Sequence, residues 1–220
     1  MCGRFTLYAD PDFLFDYFQI ENSESLSINP RYNIAPSQPV FSLVKGQSGV
    51  RGGYMKWGLI PSWSKDIRIG NKMINARAET LFKKPSFKHL VGRRHCVIIA
   101  SSFYEWKLQN GIKQPYLIKY NDDRPIIFAG LWDRWKDNQN EEVISCTIIT
   151  TEANESMQSI HHRMPVILNK DNYQHWLQAC HSSDKVVEFL KPMKEDLVLT
   201  SVSTLVNNPK NDFKDCINSL

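Results

Sequence analysis

A chain of 220 residues with 42% hydrophobic and 23% charged residues is long enough to bury a substantial core, which excludes a disordered tail. Its 27 Lys and Arg residues exceed its 23 Asp and Glu residues by four, an excess that permits a nucleic-acid partner without demonstrating one. No long uncharged apolar run is present and none follows Arg4, so we expect neither a membrane span nor a signal peptide. No composition shift marks a linker, and we predict a single domain over residues 1–220.

Most of the predicted elements are strands. Asp10 and Pro11 are typical of a helix N-cap and first turn, and apolar residues follow from Phe13 to Phe18 at helical spacing. Residues 22–39 are rich in Ser, Asn and Pro and are predicted to be irregular. Strands are predicted at 39–45, 53–58, 96–100, 103–107, 114–120, 126–131, 143–151 and 197–203, and helices at 170–179 and 184–190. Asn110-Gly111 is typical of a β-hairpin turn. The predicted class is α+β, with a barrel-like or folded antiparallel sheet as the core and peripheral helices.

The cysteine pattern indicates a reducing compartment. Five cysteines at wide spacing do not form a disulfide framework, so we expect a cytoplasmic protein. Cys96 and Cys146 lie in apolar runs and are predicted to be inert core thiols. His95-Cys96 and Cys180-His181 are adjacent pairs, and neighbours on a strand point to opposite faces. We therefore predict no metal site.

Cys2 has the most distinctive chemistry in the chain. Its small side chain suits removal of Met1, after which it would be the N-terminal residue. The reference pKa values of its amine and thiol are then about 8 and about 8.5, so both groups have a nucleophilic fraction at neutral pH. An aldehyde can form an imine with the amine, and the thiolate can close a five-membered thiazolidine ring. Cys2 therefore predicts a substrate that carries an aldehyde.

Six blocks of sequence, in this order, resemble the SRAP family, the abasic-site processing proteins. They are MCGRF (1–5), RYNIAP (31–36), WGLIPSW (57–63), INARAET (74–80), FYEWK (103–107) and IHHRMPV (160–166). Residues 202–207 are also similar, so the resemblance spans almost the whole chain. The chain departs from the pattern at His162, where other members often carry an acid, and at Ser64, where some carry a second tryptophan.

The resemblance implies a sensor of abasic sites in single-stranded DNA. In this family the N-terminal cysteine forms a thiazolidine with the aldehyde of the ring-opened sugar. The resulting DNA–protein crosslink protects the strand from cleavage and from error-prone bypass during the DNA damage response. Lyase-like activity and self-removal of Met1 are also implied. The expected partner is abasic single-stranded DNA, the expected state is a monomer, and no cofactor is expected.

The resemblance also implies roles for particular residues. Asn75 matches a family active-site position, where its amide would hold the opened sugar by a hydrogen bond. Glu105 matches the acidic catalytic residue, and a carboxyl among aromatic neighbours would have a raised pKa and serve as acid and base. His161 matches the active-site histidine and would shuttle protons. Thr150 aligns near the site and would donate a hydroxyl hydrogen bond.

DNA contacts are predicted beside these motifs. Guanidinium groups suit phosphates, so Arg4, Arg77 and Arg163 are candidates for positioning the strand without reading its sequence. Trp63 is predicted to stack on a base or wedge beside it. The other tryptophans singled out, Trp57, Trp106, Trp132 and Trp176, are expected in the core.

Two other functions fit parts of the sequence. A passive single-strand binding module would bind intact and abasic DNA alike and form no covalent product. An N-terminal-nucleophile amidohydrolase would use the amine to activate the Cys2 thiol for attack on an amide. The arginines and Trp63 fit phosphates and bases better than a small amide pocket.

Overall fold

The computed structural model describes residues 2–178 and 183–220. Its strands are β1 (Phe5–Leu7), β2 (Arg31–Ile34), β3 (Pro39–Lys45), β4 (Val50–Trp57), β5 (Asn75–Arg77), β6 (His95–Ala100), β7 (Ser102–Gln109), β8 (Ile112–Lys119), β9 (Ile126–Lys136), β10 (Glu142–Glu152), β11 (Arg163–Pro165), β12 (Ile167–Leu168) and β13 (Val198–Ser201). Its α-helices are α1 (Pro11–Phe18), α2 (Glu155–Gln158), α3 (Tyr173–Leu177) and α4 (Ser183–Phe189). Short 3₁₀ turns lie at Ser23–Ser25, Ile67–Lys72, Ala78–Thr80, Thr204–Asn207 and Lys214–Ile217.

Five strands close into a barrel. β3 pairs antiparallel with β4 and β6, β6 pairs with β9, and β9 pairs with β10. β10 completes the ring by pairing with β4 in parallel, and it also pairs in parallel with β5. The predicted α+β class with a barrel-like core is confirmed. The parallel pairings were not anticipated, because a long excursion of the chain separates β4 from β10 and no tight turn fixes their direction.

The interior of the barrel is tightly packed at its middle. Cross-strand partners share a face of the sheet, so Gly130 of β9 shares its face with Cys96 of β6 and Ile148 of β10. A Cβ on Gly130 would lie 2.5 Å from Cδ1 of Ile98. The Cys146 thiol of β10 hydrogen-bonds to Ser42 on β3, which is not a neighbour in the ring, so this face is the interior.

A second sheet covers one end of the barrel. Its order is β13-β8-β7-β1-β2, and all its pairings are antiparallel. The ring of Phe5 on β1 lies 5.1 Å from the ring of Trp57 and 5.8 Å from that of Phe128. β4 ends and β9 begins at this end of the barrel, and the N-terminal residues are therefore held there.

Elements with strong local signals form where they were predicted. The Asp10 carboxylate accepts a hydrogen bond from the Phe13 amide at 3.0 Å and caps α1. Asn110 and Gly111 both have positive φ, 50° and 79°, as the tight turn between β7 and β8 requires. The strand predicted at 53–58 begins earlier, at Val50. The helix predicted to residue 179 runs from Tyr173 to Leu177, and residue 179 lies outside the described residues.

The cysteine predictions have mixed outcomes. Cys96 and Cys146 are buried as predicted, and burial raises the pKa of the Cys146 thiol to about 12. The Cys180-His181 pair lies outside the described residues. Within residues 2–178 and 183–220, no group of three or more His, Cys, Asp or Glu side chains is placed to hold a metal ion. No helix in the described ranges has the length and apolarity to cross a membrane.

Candidate active site

Cys2 is fully buried just before β1. Its carbonyl oxygen accepts a hydrogen bond from Nδ2 of Asn75 at 2.8 Å. Asn75 opens β5 and is held in register opposite Ile148 of β10. The structure thus brings together two predicted residues that lie 73 positions apart in the chain.

Glu105 lies on β7, the strand that pairs with β1. Its side chain is buried, and burial raises the pKa of its carboxyl. Burial, and then the charge of Glu105, raise the pKa of the Cys2 thiol. The reference pKa of about 8.5 for a solvent-exposed thiol therefore does not apply to Cys2 in this fold. The thiol is held protonated, and its attack on an electrophile requires a nearby base.

His161 has a defined orientation beside the loop that precedes β11. Its Nδ1 accepts a hydrogen bond from the backbone amide of Arg163 at 2.9 Å, which assigns the proton of the neutral ring to Nε2. Its ring stacks on that of His162 at 4.4 Å between centroids. Burial lowers the pKa of His161, so the neutral ring predominates at pH 7. The stacking contact with His162, the residue that departs from the family pattern, thus supports the ring of His161.

An open cleft of about 590 Å³ connects Glu105 and His161 to solvent. It is lined by Glu105, Trp106, Lys113, His161 and Asn207. Trp106 was expected in the core, but it is half-buried and forms a wall of the cleft. Lys113 was not predicted, because an exposed lysine on a hairpin strand has no local signal that distinguishes it from other surface lysines.

The C-terminal segment completes the wall of this cleft. Oδ1 of Asn207 accepts a hydrogen bond from Nε1 of Trp106 at 2.7 Å. Nδ2 of the buried Asn33 lies within hydrogen-bond distance of the carbonyls of Val206, Asn208 and Asn211, at 3.2, 3.0 and 2.7 Å. The RYNIAP block therefore fastens the end of the chain beside the site.

Two of the predicted phosphate ligands are engaged within the protein. The Arg163 guanidinium is buried, pairs with both carboxylate oxygens of Glu79 at 2.6 and 3.1 Å, and donates to the Thr150 carbonyl at 2.7 Å. The half-buried Arg4 donates from Nη1 to Oδ1 of Asn33 and to the Val206 carbonyl, both at 2.7 Å. These contacts favour a supporting role for Arg4 and Arg163 over direct phosphate contact. Thr150 is likewise buried, at 3.2 Å from Arg163.

Two other predicted DNA contacts are exposed. Arg77 ends β5, two residues after Asn75, and its side chain is open to solvent. Trp63 has 55% of its surface exposed, which is unusual for a tryptophan. Both are available to a ligand that approaches from solvent.

The chain is similar to known proteins over most or all of its length. The family model described as SOS response associated peptidase (SRAP) matches residues 1–209, and the chain belongs to that family. It is 44% identical to the abasic site processing protein YoaM of Bacillus subtilis, over all of this chain and 98% of that protein. It is 33% identical to the abasic site processing protein HMCES of Gallus gallus, over 74% of this chain and 56% of that protein. A crystal structure from Bacteroides thetaiotaomicron matches over the full length of both chains, with a TM-score of 0.88 and 26% identity.

Proposed function

We propose that this protein processes abasic sites in single-stranded DNA by forming a covalent bond through Cys2. The main support is that Asn75 and Glu105 both lie close to Cys2, and that Glu105 and His161 line an open cleft. Membership of a family whose relatives carry the name abasic site processing protein supports the substrate class.

The proposed reaction begins once Met1 has been removed. The amine of Cys2 adds to the aldehyde of the opened sugar, and loss of the resulting hydroxyl as water gives a protonated imine that keeps one hydrogen on nitrogen. Glu105, whose pKa is raised by burial, donates a proton from its protonated form to the departing hydroxyl. The Glu105 carboxylate that results takes the thiol proton as the sulfur attacks the imine carbon, and the thiazolidine ring closes. The net change is loss of one water.

The remaining residues hold the DNA and the proton-transfer groups. In the proposal the neutral His161 relays protons from Nε2. Asn75 positions Cys2 by donating a hydrogen bond to the Cys2 carbonyl. Arg77 and Trp63 contact a phosphate and a base of the strand. A single chain contains every one of these groups, so we propose that a monomer suffices. The free thiols at Cys2, Cys96, Cys146 and Cys216 support a reducing, cytoplasmic location. Lyase-type strand cleavage and self-removal of Met1 belong to the same hypothesis.

The test is a denaturing gel and intact mass spectrometry of the protein with an abasic single-stranded oligonucleotide. We expect an adduct whose mass equals protein without Met1 plus DNA minus one water, and no adduct with undamaged DNA. Cys2→Ala should abolish it, whereas the matched variant Cys216→Ser should not. An adduct that survives in Cys2→Ala, or on protein that retains Met1, would contradict the mechanism. Equal noncovalent binding of both DNAs without any adduct would favour the passive binding module.

A further inference from the structure

A second cavity, of about 360 Å³, opens at the end of the barrel away from Cys2. β4 runs from Arg51 at this end to Trp57 at the end covered by the second sheet. Six residues of strand at about 3.3 Å each place the two ends about 20 Å apart. A ligand in this cavity would therefore not overlap the cleft at Cys2. The mouths of β-barrels are a common place for small-molecule sites, and the volume falls in their usual range of about 300–1,000 Å³.

Most of the residues that line this cavity belong to the interior face of the barrel. Val44 pairs with Arg51, and Ser42 pairs with Gly53, so these residues of β3 and β4 share the inward face of Ser42. On the opposite wall, Trp132 pairs with Cys146, whose thiol points inward. The cavity is therefore the mouth of the barrel lumen, and strands of both walls contribute to it.

The mouth of the barrel is open at Gly53, whereas the middle of the barrel is filled around Gly130. A Cβ on Gly53 would meet no atom within 4 Å, whereas a Cβ on Gly130 would meet Cδ1 of Ile98 at 2.5 Å. Much of the lining is apolar, with Val44, Met55 and Ile144 among its side chains. The half-buried Trp132 offers an indole to the same space. A flat apolar group fits this combination.

The charge at the rim is positive. Arg51 is exposed, and no carboxylate of the described residues lies within ion-pair distance of it. Arg134 also lines the cavity and lies 3.4 Å from Glu142, which neutralises part of its charge. Arg94 lies 4.6 Å from the centroid of the Trp132 ring, and its Nε is 3.9 Å from Asp133. Among the residues that the structure describes, none of those lining the cavity is acidic, so an anionic ligand is favoured.

We propose that the mouth of the barrel binds a small aromatic anion. The ring system enters over the bare backbone of Gly53 and lies beside Trp132, and the carboxylate, sulfonate or phosphate group pairs with Arg51 at the rim. This site is separate from the chemistry at Cys2 and does not depend on it.

The test uses 2-naphthoate as the probe, measured by isothermal titration calorimetry on the full chain. We expect saturable binding with one site per chain, and binding of the uncharged 2-naphthalenemethanol weaker by about tenfold or more, the usual effect of losing a charge-assisted hydrogen bond. Gly53→Leu fills the lumen and should abolish binding. Arg51→Gln should weaken naphthoate about tenfold and leave naphthalenemethanol unchanged.

Matched variants separate this site from general loss of structure. Arg68→Gln removes an arginine that is exposed elsewhere, with 83% of its side chain accessible, and should bind naphthoate as the wild type does. Gly53→Leu should keep its crosslinking rate with abasic DNA, which checks that it folds. If Gly53→Leu does not fold, Arg51→Gln alone decides, because its side chain is on the surface. Unchanged naphthoate binding in Arg51→Gln, or no binding to the wild type, would overturn the proposal.

Discussion

At the scale of single residues, the buried carboxyl of Glu105 is the group on which the proposed chemistry depends. Burial raises its pKa, so it stays protonated to a higher pH than an ordinary glutamate. A step that needs this proton is fast below that pKa and slows as pH rises through it. We expect Glu105→Gln to slow single-turnover crosslinking by about 10²–10⁴-fold and to remove this limb of the pH–rate profile.

DNA affinity provides the control for Glu105→Gln. Binding of undamaged single-stranded DNA should change little, because docking requires no proton transfer. A variant that loses binding and crosslinking in equal measure would indicate that Glu105 only holds the cleft in shape. A rate and profile like those of the wild type would remove Glu105 from the mechanism.

The exposure of the arginines predicts which of them contacts phosphate. Arg77 is exposed, whereas Arg163 is buried against Glu79. Arg77→Ala should therefore reduce the slope of log K against log salt by about 0.7, the value for one phosphate of a single strand. Arg163→Ala should leave that slope unchanged and lower the free energy of unfolding by about 1–3 kcal/mol. Salt titrations by fluorescence anisotropy, with thermal melts, would distinguish these roles, and the reverse pattern would contradict them.

At the scale of elements, β2 acts as a clamp for the C-terminal segment. Oδ1 of Asp212 accepts hydrogen bonds from the backbone amides of Tyr32 and Asn33, and the Asn33 amide reaches three carbonyls of the same segment. Asn33→Ala removes the side-chain hydrogen bonds to this segment, including the buried acceptor of Arg4, so we expect unfolding to require about 1–3 kcal/mol less.

Loss of the clamp should also loosen the wall that Asn207 forms with Trp106. Crosslinking by Asn33→Ala should slow at a temperature where the protein is still folded, measured beside chemical denaturation. The matched variant Asn22→Ala removes an asparagine that also bonds to backbone, at Gly52, away from the site. It should leave the crosslinking rate unaltered. Equal crosslinking rates in Asn33→Ala and Asn22→Ala would show that the clamp does not affect the site.

The elements also show what a sequence can predict. The turn at Asn110-Gly111 and the cap at Asp10 depend on neighbours in the chain, so both were predictable. β1, β2, β5, β11 and β12 were not predicted because each has two to four residues, too few for a periodic pattern. Their partners are distant, as Asn75 opposite Ile148 shows.

The residues of the candidate site also differ in how far they can be predicted, according to whether their role depends on local sequence or on a distant partner. The aldehyde chemistry of Cys2 can be argued from one residue, and the family blocks predict roles for Asn75, Glu105 and His161. The pairing of Arg163 with Glu79 joins residues 84 positions apart, and no local pattern contains it. A phosphate role was therefore predicted for an arginine that the fold uses internally. The wall that Trp106 and Asn207 form was not predictable for the same reason, because their hydrogen bond joins residues 101 positions apart.

At the scale of the whole molecule, the barrel is packed unevenly along its axis. Gly130→Ala should destabilise the protein by about 1–3 kcal/mol, because its Cβ would meet Ile98 and the Thr147 carbonyl at 2.5 and 2.8 Å. Gly53→Ala adds the same methyl group on another barrel strand, where space is open, and should be neutral or stabilising. Urea denaturation measures the free energy of unfolding of both variants. Equal changes in the two would show that packing around Gly130 and Gly53 is equally tight.

The clamp between β2 and the C-terminal segment has a consequence for synthesis on the ribosome. Cys2 emerges from the ribosome 210 residues before Asp212, whose carboxylate holds β2 to the C-terminal segment. At about 5–20 residues per second, roughly 10–40 s separate the two. The proposed removal of Met1 can therefore precede formation of the cleft wall by Asn207. If Cys2 reacts as proposed, a nascent chain, or one truncated by a premature stop before Asn207, carries that cysteine without the cleft wall that Asn207 and Trp106 form.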